Sequence, residues 1–567
     1  MVFKREDELA GNSRADEHDS KVSYALGDYE KAVRSRLAAW IESKTADRIW
    51  SRDFTVWSST HVPEITDRLG WLALPESMRP ETDEISQFAD GVKSGGFRHA
   101  VLLGMGGSSL AAEVYQATFG NRPGFPELMV LDSTHPDAVS ALLEAIDPES
   151  TLFIVASKSG TTIESLSLFE YFYGLFEAAG DPGAHFAAIT DPGTPLEELS
   201  VERGFRRVFK AFPDIGGRYS ALSHFGLVPA ALVGMDTTGF LNRAAEVAAR
   251  CRRSGSEQSN PGLMLGAVLA EVAIAGRDKV TFLTSPSLAA FPNWLEQLIA
   301  ESTGKQGRGI VPIVGEPRAR PETYGGDRFF VYISLEGEAD SDSEALLDAL
   351  VDAGHPAARF DLSENLEMAG EMFRWEFAIA SAGAALGINP FNQPDVQSAK
   401  SLARQAMSEG PGGSPSSPDS ISSENAKELV ASLSAFLNRV RPGDYLAITA
   451  FITSSPGVVE MLQEIRSRLL NRYSTATTLG FGPRYLHSTG QLHKGGPDTG
   501  VFLQLVDEPR EDLEVPRKGF TFARLVAAQA VGDYNALFRA DRRVIRIDLG
   551  PDAERGLGAI LEGLPGM

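Results

Sequence analysis

Two segments rich in glycine and hydroxyl residues could bind a phosphate group. The first, residues 104–109 (GMGGSS), lies between the apolar run HAVLL and the amphipathic stretch LAAEVYQATF, and Gly107 and Ser108 are its candidate ligands. Glycine lets the backbone approach an anion closely, and the start of a following helix supplies N–H donors and partial positive charge. The loop alone fits equally well a tight strand-to-helix turn with a capping serine.

The second segment, residues 157–162 (SKSGTT), separates the apolar run TLFIVA from the stretch IESLSLFEYF. Its candidate phosphate ligands are hydroxyl residues and one cation: Ser157, Lys158, Ser159, Thr161 and Thr162. Ligands of open α/β sheets gather at the carboxyl ends of the strands, so two such loops at neighbouring strand ends favour one compact phosphate. A helix start with ordinary capping residues is the simpler alternative.

A dinucleotide site is a competing interpretation of the first loop. Asp132 ends the next predicted strand, where the acid that binds a ribose stands in dinucleotide-binding folds. Ser109, however, occupies the position of the third glycine of that motif, and the chain has no Gly-Lys-Ser/Thr sequence for a P-loop. The second hydroxyl-rich loop therefore favours a compact phosphate over a dinucleotide.

Three later segments carry side chains suited to proton transfer. Arg218 follows a Gly-Gly pair in DIGGRYSALSHFG. Gln297 and Glu301 are four apart in QLIAESTGKQG and would share one helix face. Gln393 and Lys400 are seven apart in INPFNQPDVQSAK, two helical turns, and would also share one side. A carboxylate can act as general base and acid, and an arginine can stabilise a developing negative charge.

These segments carry a resemblance to known proteins. The two loops resemble those of the sugar-isomerase (SIS) domain, and the three later segments resemble signature segments of the phosphoglucose isomerase family, in matching order from about residue 50 to 405. The whole sequence looks most like the isomerase half of bifunctional transaldolase/glucose-6-phosphate isomerases, with no stretch left for a transaldolase barrel. By this resemblance the sugar phosphate would be held by Ser108, Ser157, Ser159 and Thr162, with Lys158 nearby.

The resemblance implies an aldose–ketose isomerase of glycolysis and gluconeogenesis that interconverts glucose 6-phosphate and fructose 6-phosphate through a cis-enediol(ate). Glu301 would move the proton between C2 and C1, and Arg218 would stabilise the enediolate. The family opens the sugar ring with a histidine and a lysine, and Lys400 matches the lysine. Gln297 and Gln393 match its substrate-side glutamines. No metal or organic cofactor is expected.

Three other functions remain open at this point. A dual phosphoglucose/phosphomannose isomerase would use the same scaffold, because mannose 6-phosphate differs only at C2. A non-catalytic phosphosugar-binding SIS protein is less favoured, since it would need the phosphate loops but neither Glu301 nor Arg218. A dinucleotide-dependent oxidoreductase is the weakest alternative.

The ring-opening histidine does not stand where the family has it. Family members carry it in a TNGQH stretch a few dozen residues after ES-x-GK, whereas that interval here has no histidine. A similar string, STGQLHKGG at residues 488–496, follows Lys400; His487 precedes it and His493 lies within it. The position after Gly-Gln favours His493, with His487 as the alternative, and a purely structural histidine is a third possibility.

Short apolar runs alternating with amphipathic stretches must position these residues. The predicted strands are HAVLLGMGG, ELMVLDST, TLFIVASKSG, HFAAITDPG, RRVFKAF, KVTFLTS, GIVPIVG, RFFVYISLEG, DYLAITAFI, GVFLQLV and RVIRIDLG. The alternation predicts an α/β fold of SIS-type, doubly wound parallel sheets. Five units are predicted. They are an N-terminal helical segment (residues 1–75), a first SIS domain with the phosphate loops (76–245), a second SIS domain with the catalytic Glu and Lys (246–407), a Gly/Pro/Ser-rich linker (408–424) and a C-terminal α/β region (425–567).

Composition narrows the class of protein. The 53 Lys and Arg against 76 Asp and Glu give a formal net charge of −23, which argues against a nucleic-acid partner. The single cysteine, Cys251, excludes an intrachain disulfide and fits a reducing cytoplasm. The N-terminus lacks the apolar core of a signal peptide, and no run of about 18 apolar residues predicts a membrane span. We expect a cytoplasmic enzyme for a small sugar phosphate and, by the resemblance, a homodimer.

Overall fold

A computed structural model of the protein describes residues 1–10, 21–177, 181–254, 260–338, 340–396, 402 and 420–564. All structural statements below concern those residues. Lys400 and residues 408–419 of the predicted linker lie outside them. Within these ranges, no helix is long and apolar enough to cross a membrane.

The N-terminal segment combines the helices that its periodicity predicts with two strands that it does not. Its strands are β1 (Lys4–Arg5) and β2 (Lys21–Ala25). Its helices are α1 (Glu6–Ala10), α2 (Glu30–Glu42), α3 (Thr45–Trp50), α4 (Pro63–Thr66), α5 (Leu74–Ser77) and α6 (Thr82–Ser94). Val22 and Tyr24 of β2 are buried, so this short strand packs into the core of the molecule.

The first sheet has five parallel strands: β3 (His99–Gly104), β4 (Glu127–Leu131), β5 (Thr151–Ala156), β6 (Phe186–Thr190) and β7 (Arg207–Lys210). Its helices are α7 (Leu110–Phe119), α8 (Pro136–Ala145), α9 (Ile163–Gly174), α10 (Pro195–Glu202), α11 (His224–Leu232) and α12 (Thr237–Cys251). The strand order is β4–β3–β5–β6–β7, so the strands that precede the two predicted phosphate loops are neighbours. Side chains of β3 alternate between two separate buried clusters, Ala100 and Leu102 in one and Val101 and Leu103 in the other, because helices cover both faces.

The second sheet contains β8 (Lys279–Thr284), β9 (Val311–Ile313), β10 (Arg328–Leu335) and β11 (Ala357–Leu362), with helices α13 (Pro261–Ile274), α14 (Phe291–Thr303), α15 (Ser341–Asp352) and α16 (Met368–Leu386). Its order is β1–β2–β11–β10–β8–β9, and β2 pairs antiparallel with β11. The strand β11 is absent from the sequence prediction because Arg359 and Asp361 interrupt its apolar run. These two side chains pair with each other at 2.9 Å on one side of the strand.

The third sheet has the parallel order β12–β18–β15–β13–β14 and is accompanied by a two-stranded hairpin, β16–β17. The strands are β12 (Ile421–Ser422), β13 (Tyr445–Phe451), β14 (Ala476–Phe481), β15 (Gly500–Val506), β16 (Glu514–Val515), β17 (Phe520–Thr521) and β18 (Arg543–Asp548). The helices are α17 (Ala426–Leu437), α18 (Pro456–Tyr473), α19 (Gly490–Gly495), α20 (Phe522–Arg539) and α21 (Ala553–Gly563). Residues 421–422, assigned from the sequence to the linker, pair with β18 and extend this sheet. The three sheets confirm the predicted α/β fold.

The C-terminal α/β region that contains the third sheet (residues 420–564, the third region) packs against the units of the first and second sheets, which we call the first and second units. Val515 and Phe522 join the buried cluster that contains Val101 of the first sheet. Ala300 of α14 and Val311 share a second buried cluster with Tyr445 and Phe502 of the third sheet, and Leu492 of α19 belongs to the same cluster. This packing places the turn Arg484–His487 next to the first predicted phosphate loop, since the His487 carbonyl oxygen lies against Gly106.

Candidate active site

Helix α14 positions Gln297 and Glu301 one turn apart on the same face. The Gln297 Nε2 atom donates a hydrogen bond to Glu301 Oε2 at 3.1 Å and another to the His487 carbonyl oxygen at 2.7 Å. Both side chains are largely buried, and the Gln297 Oε1 atom has no hydrogen-bond partner within the described ranges. The site therefore holds a carboxylate and an unsatisfied acceptor next to each other.

The Arg218 guanidinium lies against the end of the same helix. Its Nη1 atom is 3.5 Å from Glu301 Oε1, and its Nε atom donates to Ser302 Oγ at 2.7 Å. The remaining donors go to the residues 389–393 segment: the carbonyl oxygens of Pro390 (2.6 Å) and Asn392 (3.0 Å) and the Gln393 Oε1 atom (3.1 Å). Several acceptors thus fix the orientation of one buried cation beside the carboxylate.

The two predicted phosphate loops adjoin this cluster. A side chain at Gly107 would bring its Cβ to 2.1 Å from the Gly217 carbonyl oxygen, so only glycine lets the first loop, with Ser108, pack on the Arg218 turn. In the second loop, the hydroxyl of Ser157 is 2.8 Å from that of Thr162, and the hydroxyl of Ser159 is 2.9 Å from that of Thr161. Gly104 and Ala156, the last residues of β3 and β5, are paired in the sheet. The loops therefore form one hydroxyl-rich edge.

Lys158 turns away from these hydroxyls. Its Nζ atom forms an ion pair with Asp191 and lies 3.3 Å from the carbonyl oxygens of Phe212 and Pro213. Burial lowers the pKa of Lys158, and the carboxylate of Asp191 acts in the opposite direction. A direct role for Lys158 in phosphate binding remains a prediction that would require this ion pair to rearrange.

His487 reaches the site from the third region of the same chain. Its Nε2 atom is 2.9 Å from Glu164 Oε1, a buried carboxylate in the first turn of α9, directly after the second predicted phosphate loop. Its carbonyl oxygen also contacts the first loop closely, since a Cβ at Gly106 would lie 2.7 Å from it. Sequence reasoning missed Glu164, although a carboxylate that follows a phosphate loop within one helical turn is a detectable signal.

His493, the histidine preferred from the sequence, lies elsewhere. Helix α19 directs its ring between Tyr445, Tyr485 and Phe502, with the nearest ring centroid 5.0 Å away. The His493 Nδ1 atom has no hydrogen-bond partner among the described residues, and burial lowers the pKa of His493 well below its ordinary value. The apolar surroundings keep this imidazole neutral, so the placement favours His487 rather than His493 as the histidine of the site.

One further charged residue, Lys305, interacts electrostatically with Arg218 and Glu301. Lys305 of the predicted ES-x-GK segment donates to the Asn389 carbonyl oxygen at 2.6 Å, and burial lowers the pKa of Lys305 well below its ordinary value. Its position anchors the segment that supplies acceptors to Arg218. Lys400, the predicted ring-opening lysine, lies outside the described residues.

Asp132, the candidate ribose-binding acid of the dinucleotide alternative, is already paired. Arg484 Nη1 lies 3.2 Å from its carboxylate and also pairs with Glu113, while the Ser109 hydroxyl is 3.5 Å from it. Burial raises the pKa of Asp132, and Arg484 lowers it. An acid held by an arginine in this way is poorly suited to bind a ribose. The described residues also contain no cluster of three or more His, Cys, Asp or Glu side chains that could hold a metal ion.

Comparisons with known proteins identify the family of this chain. The family model described as phosphoglucose isomerase matches residues 73–310. A glucose-6-phosphate isomerase of Rubrobacter xylanophilus is 29% identical over 394 residues, which cover 60% of this chain and 90% of the relative. A probable glucose-6-phosphate isomerase of Natronomonas pharaonis is 30% identical over 431 residues, 68% of this chain and 95% of the relative.

Solved structures give the same result for the fold. A hypothetical protein of Thermus thermophilus is similar with a TM-score of 0.59 and 25% identity, covering 68% of this chain and 98% of that one. A glucose-6-phosphate isomerase of Chlamydia trachomatis has the same fold, with a TM-score of 0.55 and 22% identity over 71% of this chain and 92% of that one. Each match covers more of the relative than of this chain, so this chain is the longer one. The chain belongs to the phosphoglucose isomerase family.

Proposed function

We propose that the protein interconverts glucose 6-phosphate and fructose 6-phosphate through a cis-enediol(ate), in glycolysis and gluconeogenesis. The observation that carries the proposal is the Glu301 carboxylate, held between Gln297 Nε2 at 3.1 Å and the Arg218 guanidinium at 3.5 Å at the edge of the phosphate loops. Family membership supports the same reaction.

Glu301 transfers the proton in the isomerisation step. In the open-chain aldose, the carboxylate removes the proton from C2, and the electrons of the broken C–H bond form the enediolate with charge on the C1 oxygen. A proton then passes from the C2 hydroxyl to the C1 oxygen, which moves the charge to the C2 oxygen. Glu301 returns its proton to C1 as the C2 carbonyl forms, and the product is the ketose. Arg218 stabilises the enediolate charge because its guanidinium is fixed in place before the reaction starts. The Gln297 Oε1 atom, which has no hydrogen-bond partner among the described residues, can accept a hydrogen bond from a sugar hydroxyl.

The phosphate group binds at the hydroxyl-rich edge, with Ser108, Ser157, Ser159, Thr161 and Thr162 as its ligands. The starts of α7 and α9 add backbone N–H donors and partial positive charge. Because the protein carries a formal net charge of −23, its overall field repels a phosphate dianion, and binding depends on these local donors.

Ring opening needs one proton to leave the anomeric hydroxyl and one to reach the ring oxygen. We assign His487 to this step: with Nε2–H donated to Glu164, its Nδ1 atom is left to exchange a proton with the sugar. No hydrogen bond occupies Nδ1 within the described part of the chain. Lys400 remains the predicted partner. Because His487 belongs to the same chain as Glu301, a dimer, which we also propose, is not needed to supply it.

Replacing Glu301 by glutamine tests the proposal. Glu301→Gln keeps the size of the side chain and removes the base, so isomerisation of fructose 6-phosphate should fall about 100- to 10,000-fold. The exchange between α and β anomers of glucose 6-phosphate, which needs only ring opening, should persist. Both rates can be followed by NMR. Near-normal isomerisation by the folded variant would refute the assignment of Glu301.

A further inference from the structure

A buried amide and a buried hydroxyl lie behind the Glu164–His487 pair. The Gln529 Nε2 atom, from helix α20, donates to Glu164 Oε1 at 2.7 Å. On the other side of the amide, Gln529 Oε1 accepts a hydrogen bond from the Thr134 hydroxyl at 2.9 Å. The four side chains form a chain of contacts that ends at the His487 imidazole.

In this hydrogen-bond network, every contact can pair one donor with one acceptor. The threonine hydroxyl donates to the amide oxygen, which turns the NH₂ group of Gln529 towards Glu164. Glu164 Oε1 then faces two groups, Gln529 Nε2 and His487 Nε2, and a carboxylate oxygen accepts from both only if the imidazole carries its proton on Nε2. The amide therefore helps to select the tautomer that leaves His487 Nδ1 without a proton.

Burial makes the arrangement costly to break. Thr134 and Gln529 are both almost fully excluded from solvent, so an unpaired carboxylate or amide would not regain water. Hydrogen bonds to an ionised group contribute more than those between neutral groups. Gln529 belongs to the third region, and Thr134 and Glu164 belong to the first unit, so the contacts also fix how the two units meet behind the histidine.

We propose that Gln529, anchored by Thr134, is a positioning residue that orients the Glu164–His487 pair for ring opening. This inference rests on the proposed role of His487. Gln529 touches no reacting atom and acts through Glu164. Its loss should slow the step that His487 performs while leaving substrate binding by the phosphate loops in place.

The test compares Gln529→Met with Val531→Ala in the full-length protein. Val531 lies on the same helix and is buried against Ala528, so its truncation controls for a general loss of stability. In Gln529→Met, the anomer exchange of glucose 6-phosphate and the kcat for isomerisation should both fall about tenfold, with KM changed less than about twofold. Val531→Ala should leave both rates near those of the wild type.

Thr134 provides a second and milder test. Thr134→Val removes the hydroxyl that holds the Gln529 amide and should slow anomer exchange about threefold, whereas Thr134→Ser keeps the hydroxyl and should restore the rate. This pair decides the question if Gln529→Met does not fold.

The outcomes separate this inference from the proposed function. Wild-type rates in folded Gln529→Met, or in Thr134→Val, would overturn the positioning role. Slow isomerisation with normal anomer exchange would also overturn it, because the defect would then lie at Glu301. Failure of the proposed function would instead show in the wild type, as no isomerisation, or in a His487 variant with unchanged anomer exchange.

Discussion

The Glu301–Arg218 pair and the Glu164–His487 pair lie on either side of Gln297, yet they are assembled in different ways. Arg218 and Ser302 at the end of α14 are 84 residues apart, and Ser302 and the 389–393 segment together supply four acceptors besides Glu301. Glu164 and His487 are 323 residues apart and come from the first unit and the third region.

This difference predicts different sensitivities. The arginine is fixed by several independent contacts close to the carboxylate, so the loss of one contact should be partly tolerated. The histidine depends on how the third region docks on the first sheet. Docking contacts include His135 with Asp507 at 2.9 Å and Arg484 with Asp132 at 3.2 Å. Changes in this interface should therefore affect ring opening before they affect proton transfer at C2.

After Glu301→Gln, Arg218→Lys should produce the largest effect on the proton-transfer side. A lysine keeps the charge but loses the planar fork that meets Ser302 and the 389–393 segment, so kcat should fall about 100- to 1,000-fold. Ser302→Ala, which removes one of the acceptors, should lower kcat much less. Steady-state kinetics would check both. Equal losses in the two variants would show that the contacts do not act independently.

The two histidines allow a matched comparison on the ring-opening side. His487→Phe should slow anomer exchange about 100-fold, because it removes the group that exchanges protons with the sugar. His493→Phe replaces a neutral ring among aromatic neighbours and should leave the rate unchanged. NMR exchange measurements on both variants decide between the histidines, and the reverse result would restore the preference drawn from the sequence.

Coexpressing His487→Phe with Glu301→Gln sharpens that comparison. If each His487 serves the site of its own chain, a mixture of these two variants has no intact site and stays inactive. Recovery of part of the wild-type activity would mean that the histidine crosses to a partner chain.

The sequence predicts the proton-transfer side better than the ring-opening side, for physical reasons. Gln297 and Glu301 are one helical turn apart, so local periodicity suffices to bring them together. The choice between His487 and His493 depends on side-chain direction, since a short turn carries the first to the site and a helix carries the second into an aromatic cluster. The partners Glu164 and Gln529 depend on packing between units, which no local pattern encodes. The strand β2, which lies between β1 and the distant β11, is missed for the same reason.

Glu296 lies on α14 at the border of the two sides and should give the smallest effect, on stability rather than on rate. Burial raises its pKa to about 7, while Arg484 and Arg466 act to lower it. Because the folded-state pKa lies above the ordinary value of 4.5, the folded protein holds a proton that the unfolded chain has released between these two pH values. The contribution of Glu296 to the free energy of unfolding is therefore fully present below about pH 4.5 and is lost as the pH rises through about 7.

Glu296→Gln should remove this dependence. The neutral amide avoids the cost of a buried charge, so the variant should gain about 2 kcal/mol of unfolding free energy relative to the wild type between pH 5 and pH 8. Urea unfolding at the two pH values measures the difference, with the exposed Glu76→Gln as control. If the free energy of unfolding depends on pH in the same way in the wild type and in Glu296→Gln, Arg484 keeps Glu296 ionised in the folded protein. The arginine on the turn of His487 would then be tied electrostatically to the helix of Glu301, and the two sides of the site would be less independent than their assembly suggests.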